Sequence, residues 1–175
     1  MVPKRWPVVP PTRLAELQAE SNSLIEAFGI GLRHSAELGG YLVASRIIPP
    51  GALVMLLPPN RIQSASEVSE WNSVIQVRAG TPEERLYSAS LLPSDLDNFL
   101  AHSCDPCCQL SVDEELTVRL HALRAVAPEE PLSIDYEVLE EDMVTQGVTF
   151  HCRCGAAACR GEIVGRAVRE QGRST

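Results

Sequence analysis

The six cysteines of this chain fall into two clusters far apart in sequence. Cys104, Cys107 and Cys108 lie within Ala101-His102-Ser103-Cys104-Asp105-Pro106-Cys107-Cys108, and Cys152, Cys154 and Cys159 lie within Cys152-Arg153-Cys154-Gly155-Ala156-Ala157-Ala158-Cys159. A C-x-C-x4-C spacing brings three sulfurs to one point, which reads as metal ligation by thiolates in a reducing compartment rather than as disulfides. Three sulfurs leave a tetrahedral zinc site one ligand short. The fourth comes from elsewhere, and Cys104, Cys107 and Cys108 are rival donors, since Cys104-Asp105-Pro106-Cys107 is itself a C-x2-C. Completing the site requires the fold to bring the two clusters together. With four thiolates the metal would be structural, leaving no open position for catalysis.

The chain of 175 residues suits one domain that buries a core without disulfides, and 45% hydrophobic with 22% charged residues describes an ordinary globule. No apolar stretch reaches membrane-spanning length, since Leu53 to Leu57 is broken at Pro58. Lys4 and Arg5 are not followed by an apolar run of signal-peptide length. These features predict an intracellular, cytoplasmic protein, with nuclear residence left open. The net charge of -8 disfavours direct contact with nucleic acid and suits a positively charged partner, although it also serves plain solubility.

Pro3, Pro7, Pro10 and Pro11 predict an extended N-terminal arm. Thr12 then caps a helix with Leu14, Leu17, Leu24, Ile25 and Phe28 on one face, stopped by Gly29 and Gly31. That face packs on the domain, with a homodimer contact as the alternative. From Gly39 onward the pattern is β: Tyr41 to Ala44, Leu53 to Leu57, Trp71 to Val77, Leu116 to Val126 and Leu132 to Tyr136 read as strands. Ser64 with Glu67 predicts a brief capped helix, Leu96 to Leu100 a short helical turn, and Glu137 to Met143 an acidic connection. Many short strands with few helices imply a mainly β fold of small curved sheets.

Four fragments in order carry a resemblance. Gly39-Gly40-Tyr41-Leu42-Val43-Ala44 with Ile48-Pro49-Pro50-Gly51 comes first, then Ala101-His102-Ser103-Cys104-Asp105-Pro106-Cys107. Glu129 to Tyr136 follows, and Cys152-Arg153-Cys154-Gly155 through Cys159-Arg160-Gly161 comes last. This order resembles the SET-domain methyltransferases with a zinc-binding post-SET segment, from about Leu32 to Gly165. After the arm and helix, which occupy 1–31, the resemblance implies a SET domain with a pseudoknot over 32–144 and a post-SET zinc segment with tail over 145–175. The chain departs from the family pattern at Ala101 and Cys107, where asparagines are usual, and at Tyr41, where glycine is.

The resemblance further implies the site. Gly39, Gly40, Tyr41, Ala101, His102 and Phe150 would bind S-adenosylmethionine, His102 through its main chain. Tyr136 would be the catalytic residue, Ile134 would line the substrate pocket, and Cys104 would join Cys152, Cys154 and Cys159 on structural Zn2+. An aliphatic Ile134 lacks the hydroxyl that holds a water beside the amine, which implies room for more than one methyl. Asp135 is expected to satisfy local backbone donors. The implied reaction is methylation of a protein lysine, with a basic protein or peptide as partner. The rivals are a small-molecule substrate on the same fold and a noncatalytic zinc-stapled interaction module.

Overall fold

The computed structural model describes residues 29–36, 38–57, 62–90 and 95–172. The N-terminal arm and helix expected from the sequence lie outside these residues. Twelve short strands build five small sheets among the described residues, and helices are few. β1 (Ile30–Ser35) pairs antiparallel with β2 (Gly39–Ala44), in register from Ile30 with Ala44 to Ser35 with Gly39. β3 (Leu53–Leu57), β9 (Val118–Ala122) and β8 (Cys108–Val112) form one three-stranded antiparallel sheet. β4 (Ile62–Ser64), β6 (Leu86–Ala89) and β5 (Val74–Arg78) form the other.

Alternation fixes which face of these strands turns inward. On β9, Val118, Leu120 and Ala122 are buried while Arg119 and His121 are only half-buried, the period of two that a pleated strand imposes. These side chains join Ile30, Leu32, Leu42, Val54, Phe99, Leu100, Leu132, Met143 and Ile163 in one continuous core.

The two remaining pairs position the functional residues. β7 (Ala101–His102) runs parallel to β10 (Ser133–Ile134), and β11 (Phe150–His151) runs antiparallel to β12 (Glu162–Ile163). Leu132 links the glycine-bearing strand to the histidine-bearing one: its N–H donates to Leu42 O at 2.9 Å, and its carbonyl accepts from Ala101 N at 3.0 Å.

Several local expectations are corrected. Gly31 does not stop a helix; it lies inside β1 opposite Val43. Glu67 accepts from both the N–H (2.7 Å) and the hydroxyl (2.6 Å) of Ser64, but these bonds close a turn rather than a helix. Trp71–Ser73 is a single 3-10 turn, and the strand begins only at Val74. The strand expected to run to Tyr136 ends at Ile134. Asp135 caps a short helix, α1 (Tyr136–Leu139), by accepting from Glu137 N at 3.1 Å, so the tyrosine opens a helix instead of closing a strand. A final helix, α2 (Arg166–Gly172), follows β12.

Candidate functional site

The β11–β12 hairpin folds residues 152 to 161 back over the bend that follows β7. This brings Cys104, Cys152, Cys154 and Cys159 together with all four sulfurs within 4.8 Å of one another. Cys104 Sγ and Cys152 Sγ are 3.9 Å apart. A tetrahedron with Zn–S bonds of about 2.3 Å has edges of about 3.8 Å, so the arrangement could hold zinc without rearranging the backbone. The donor set is all sulfur, which favours a soft or borderline cation over Mg2+ or Ca2+. Backbone donors already point at the sulfurs: Cys104 N reaches Cys154 Sγ, and Arg160 N reaches Cys104 Sγ, both at 3.5 Å. Burial opposes charge on Cys154, but the Cys104 and Ala156 N–H groups and the neighbouring thiols bring its pKa down to about 6. Cys107 and Cys108 stand outside this group; Cys107 Sγ lies instead against Ser133 and the Pro131 carbonyl.

Next to the sulfurs sits an aromatic group. The His102, Tyr136 and Phe150 rings contact one another with centroids 5.1, 5.3 and 5.9 Å apart. The His102 ring is itself a structural bridge. Its Nδ1 accepts from Tyr136 N at 3.2 Å, which leaves the ring proton on Nε2, 3.5 Å from Cys104 Sγ. The sequence reading gave this histidine a backbone role only and missed the ring.

Tyr136 is buried, and its hydroxyl donates to Leu100 O at 2.5 Å. Burial raises its pKa well above the ordinary phenol value, so it is a neutral hydrogen-bonding group at physiological pH. Tyr136 and Ile134 line one cleft together with Leu100, Leu139, Asp97 and Glu140.

Residues 39–137 match the family model of the SET domain. The chain belongs to the SET domain family. Among solved structures, the methyltransferase domain of human histone-lysine N-methyltransferase SETMAR superposes with a TM-score of 0.60 at 20% identity, covering 78% of this chain and 58% of that one. KRYPTONITE, solved in complex with mCHG DNA and SAH, gives a TM-score of 0.60 at 22% identity, covering 77% of this chain and 28% of that one. This chain therefore spans less than two thirds of either protein, and at these identities the likeness is one of fold. No curated protein matches the sequence.

The SET motifs take defined places. Gly39, Gly40 and Tyr41 open β2, Ala101 and His102 form β7, and Ile134 and Tyr136 flank the end of β10. Leu132 hydrogen bonds to both β2 and β7, so the three motifs share one backbone network. Phe150 lies two residues before Cys152, tying the aromatic group to the sulfur cluster.

A charged clamp around Tyr136 was not anticipated from the sequence. Asp135 and Glu137 flank the tyrosine, and Arg160, directly after Cys159, reaches both of them. Its Nη2 donates to Asp135 Oδ1 at 2.5 Å, and its Nε lies 3.1 Å from Glu137 Oε2. Arg169 of α2 adds a 2.7 Å bond to Glu137, and Val164 N donates to the same carboxylate at 3.1 Å. Burial alone would raise the Glu137 pKa, but Arg169, Val164 N–H and Arg160 together hold it below the ordinary value. Asp135 does accept from a local backbone donor as expected, Glu137 N, and it also binds Arg160. An arginine beside the last cysteine was the available signal; its partners were not readable because Asp135 lies 25 residues away and no spacing rule links the two.

Proposed function

We propose that this protein is an S-adenosylmethionine-dependent methyltransferase acting on a lysine side chain of a basic protein or peptide, with one structural zinc. The carrying observation is that, in a chain of the SET domain family, the buried Tyr136 and Ile134 share a cleft. Its lining is apolar at Leu100, Ile134 and Leu139, which suits an aliphatic stem, while Asp97 and Glu140 favour the approach of a cationic head.

The residues present fit the methyl donor. Gly39 has φ +69, and a Cβ there would meet nothing within 4 Å, so β2 leaves open space at this end. Ala101 adds little bulk on β7, and Phe150 offers a half-buried ring. We assign the donor to Gly39, Gly40, Tyr41, Ala101, His102 and Phe150. When bound, S-adenosylmethionine supplies an electrophilic methyl group on a sulfonium.

The protein's own work is orientation and exclusion of water. Tyr136 stays neutral, so it is no general base. Its hydroxyl donates a hydrogen bond to Leu100 O, which orients the phenol oxygen to accept an N–H of the incoming amine and hold it in line. Ile134 carries no hydroxyl, which leaves room for more than one methyl. Cys104, Cys152, Cys154 and Cys159 would hold zinc, which would pin the post-SET loop beside Phe150. The free thiols suit a reducing, intracellular setting.

Calorimetric titration of S-adenosylmethionine into zinc-replete protein, wild type and Tyr136→Phe, tests the reading when followed by mass spectrometry of lysine peptides. Both proteins are expected to bind, with transfer reduced on the order of 100-fold in the variant. Failure of both to bind supports the noncatalytic interaction module. Binding without transfer to any peptide favours a small-molecule acceptor, and strict monomethylation counts against the role given to Ile134.

A further inference from the structure

Cys107 and Cys108 belong to neither site. Both side chains are 0% exposed, yet their sulfurs lie 3.7 Å apart. Neighbours on a regular strand point to opposite faces, so this contact marks the place where the bend after β7 turns into β8. The residues on either side of that place, Asp105 and Gln109, are exposed, which keeps the path from solvent short.

Cys107 also grips the strand that leads to the cleft. Its N–H donates to Ser133 Oγ at 3.2 Å, and its sulfur accepts from Ser133 N at 3.3 Å and from Ser133 Oγ at 3.6 Å. The two thiols differ in acidity. The Cys108 thiol, against burial and with help from Ser133, brings Cys107 down to about 6, while Cys107 and burial push Cys108 up. One sulfur is thus suited to attack and the other to keep its proton.

We propose that Cys107 and Cys108 are a dithiol that a hydroperoxide closes, reversibly, to a disulfide between adjacent residues, loosening the strand that leads into Tyr136. The Cys107 thiolate attacks the outer peroxide oxygen; the O–O bond breaks, an alkoxide or hydroxide leaves and takes up a proton, and a sulfenic acid remains. The Cys108 sulfur then attacks the Cys107 sulfur, the S–O bond breaks, and water departs with the Cys108 proton. Two thiols and one hydroperoxide become one disulfide, one alcohol or water, and one further water. Bond formation shortens the sulfur separation from 3.7 Å to about 2.05 Å, drawing Cys107 Sγ off the Ser133 N–H. A thiol reductant restores the contact. The proposal does not depend on the methyltransferase reading.

The test treats zinc-replete protein with hydrogen peroxide, then denatures, alkylates and maps it by mass spectrometry. Expected is a 2 Da loss (~2, two hydrogens removed as one disulfide forms) with Cys104 alkylated and Cys107 and Cys108 protected, reversed by dithiothreitol and absent in Cys108→Ser. Amide exchange in the Leu132–Tyr136 segment should quicken on oxidation and recover on reduction. Oxidation confined to Cys104, Cys152, Cys154 and Cys159, or no bridge at Cys107 and Cys108, overturns the proposal. A bridge with unchanged exchange at Leu132–Tyr136 overturns its link to the cleft. The mapping uses wild-type protein, so a variant that fails to fold leaves the test intact.

Discussion

The sheet β3–β9–β8 and the loop from 153 to 161 are ordered by different physics. In the sheet, Val118, Leu120 and Ala122 are buried, and apolar contact reinforces the backbone ladders that β9 makes with both β3 and β8. No residue from 153 to 161 is buried, and the loop rests on converging sulfurs, backbone N–H donors and the ion pairs of Arg160. A core held by area responds to lost volume. A loop held by charge responds to metal, protons and salt.

Chelation should break the comparison most sharply. Stripping the metal is expected to release residues 150–163 while the sheet keeps its protection, seen as amide exchange rising at least tenfold in that segment alone. Cys154→Ser should reproduce the pattern without chelator. Uniform loosening of both regions would mean that the loop and the sheet form one cooperative unit.

Leu120→Ala tests the opposite side. Leu120 is 1% exposed at the centre of β9, and its truncation should lower stability by about 3 kcal/mol. Calorimetric unfolding reads the loss, and zinc stoichiometry of the folded protein should remain that of wild type.

The smallest expected effect lies in acid. Glu137 has a folded pKa below its ordinary value of 4.5, so its stabilising effect is fully present above that pH and is lost as pH falls through the lower folded value. Glu137→Gln should therefore flatten the acid limb of the stability profile below about pH 4.5, with little change in its shape at neutral pH. A denaturant series between pH 3 and 7 (roughly the range bracketing carboxylate titration) checks this, and an unchanged acid limb would remove Glu137 from the clamp.

The same contrast explains what the sequence revealed. Cysteine spacing and the apolar alternation of β9 are local patterns, and both were readable. The Arg160 clamp was not, because its partners precede it by more than twenty residues and no spacing rule links them. Tyr136 was placed on a strand because Leu132 and Ile134 alternate; the decisive signal was Asp135, whose capping bond to Glu137 N starts a helix at once. β1 escaped notice because Gly29 and Gly31 look like breakers, although Gly31 pairs squarely with Val43. Among Cys104, Cys107 and Cys108, only three-dimensional closure separates a sulfur in the cluster from two that pack against Ser133 and each other.

That closure has a consequence for the disordered chain as well as for the folded one. Cys104 and Cys152 are 48 residues apart, and the span between them contains β8, β9, β10 and Tyr136. A metal that stayed on both sulfurs during unfolding would tie this stretch into a ring. By polymer reasoning such a tether removes about 4 kcal/mol of chain entropy from the denatured ensemble, about as much as a disulfide closing a loop of that length.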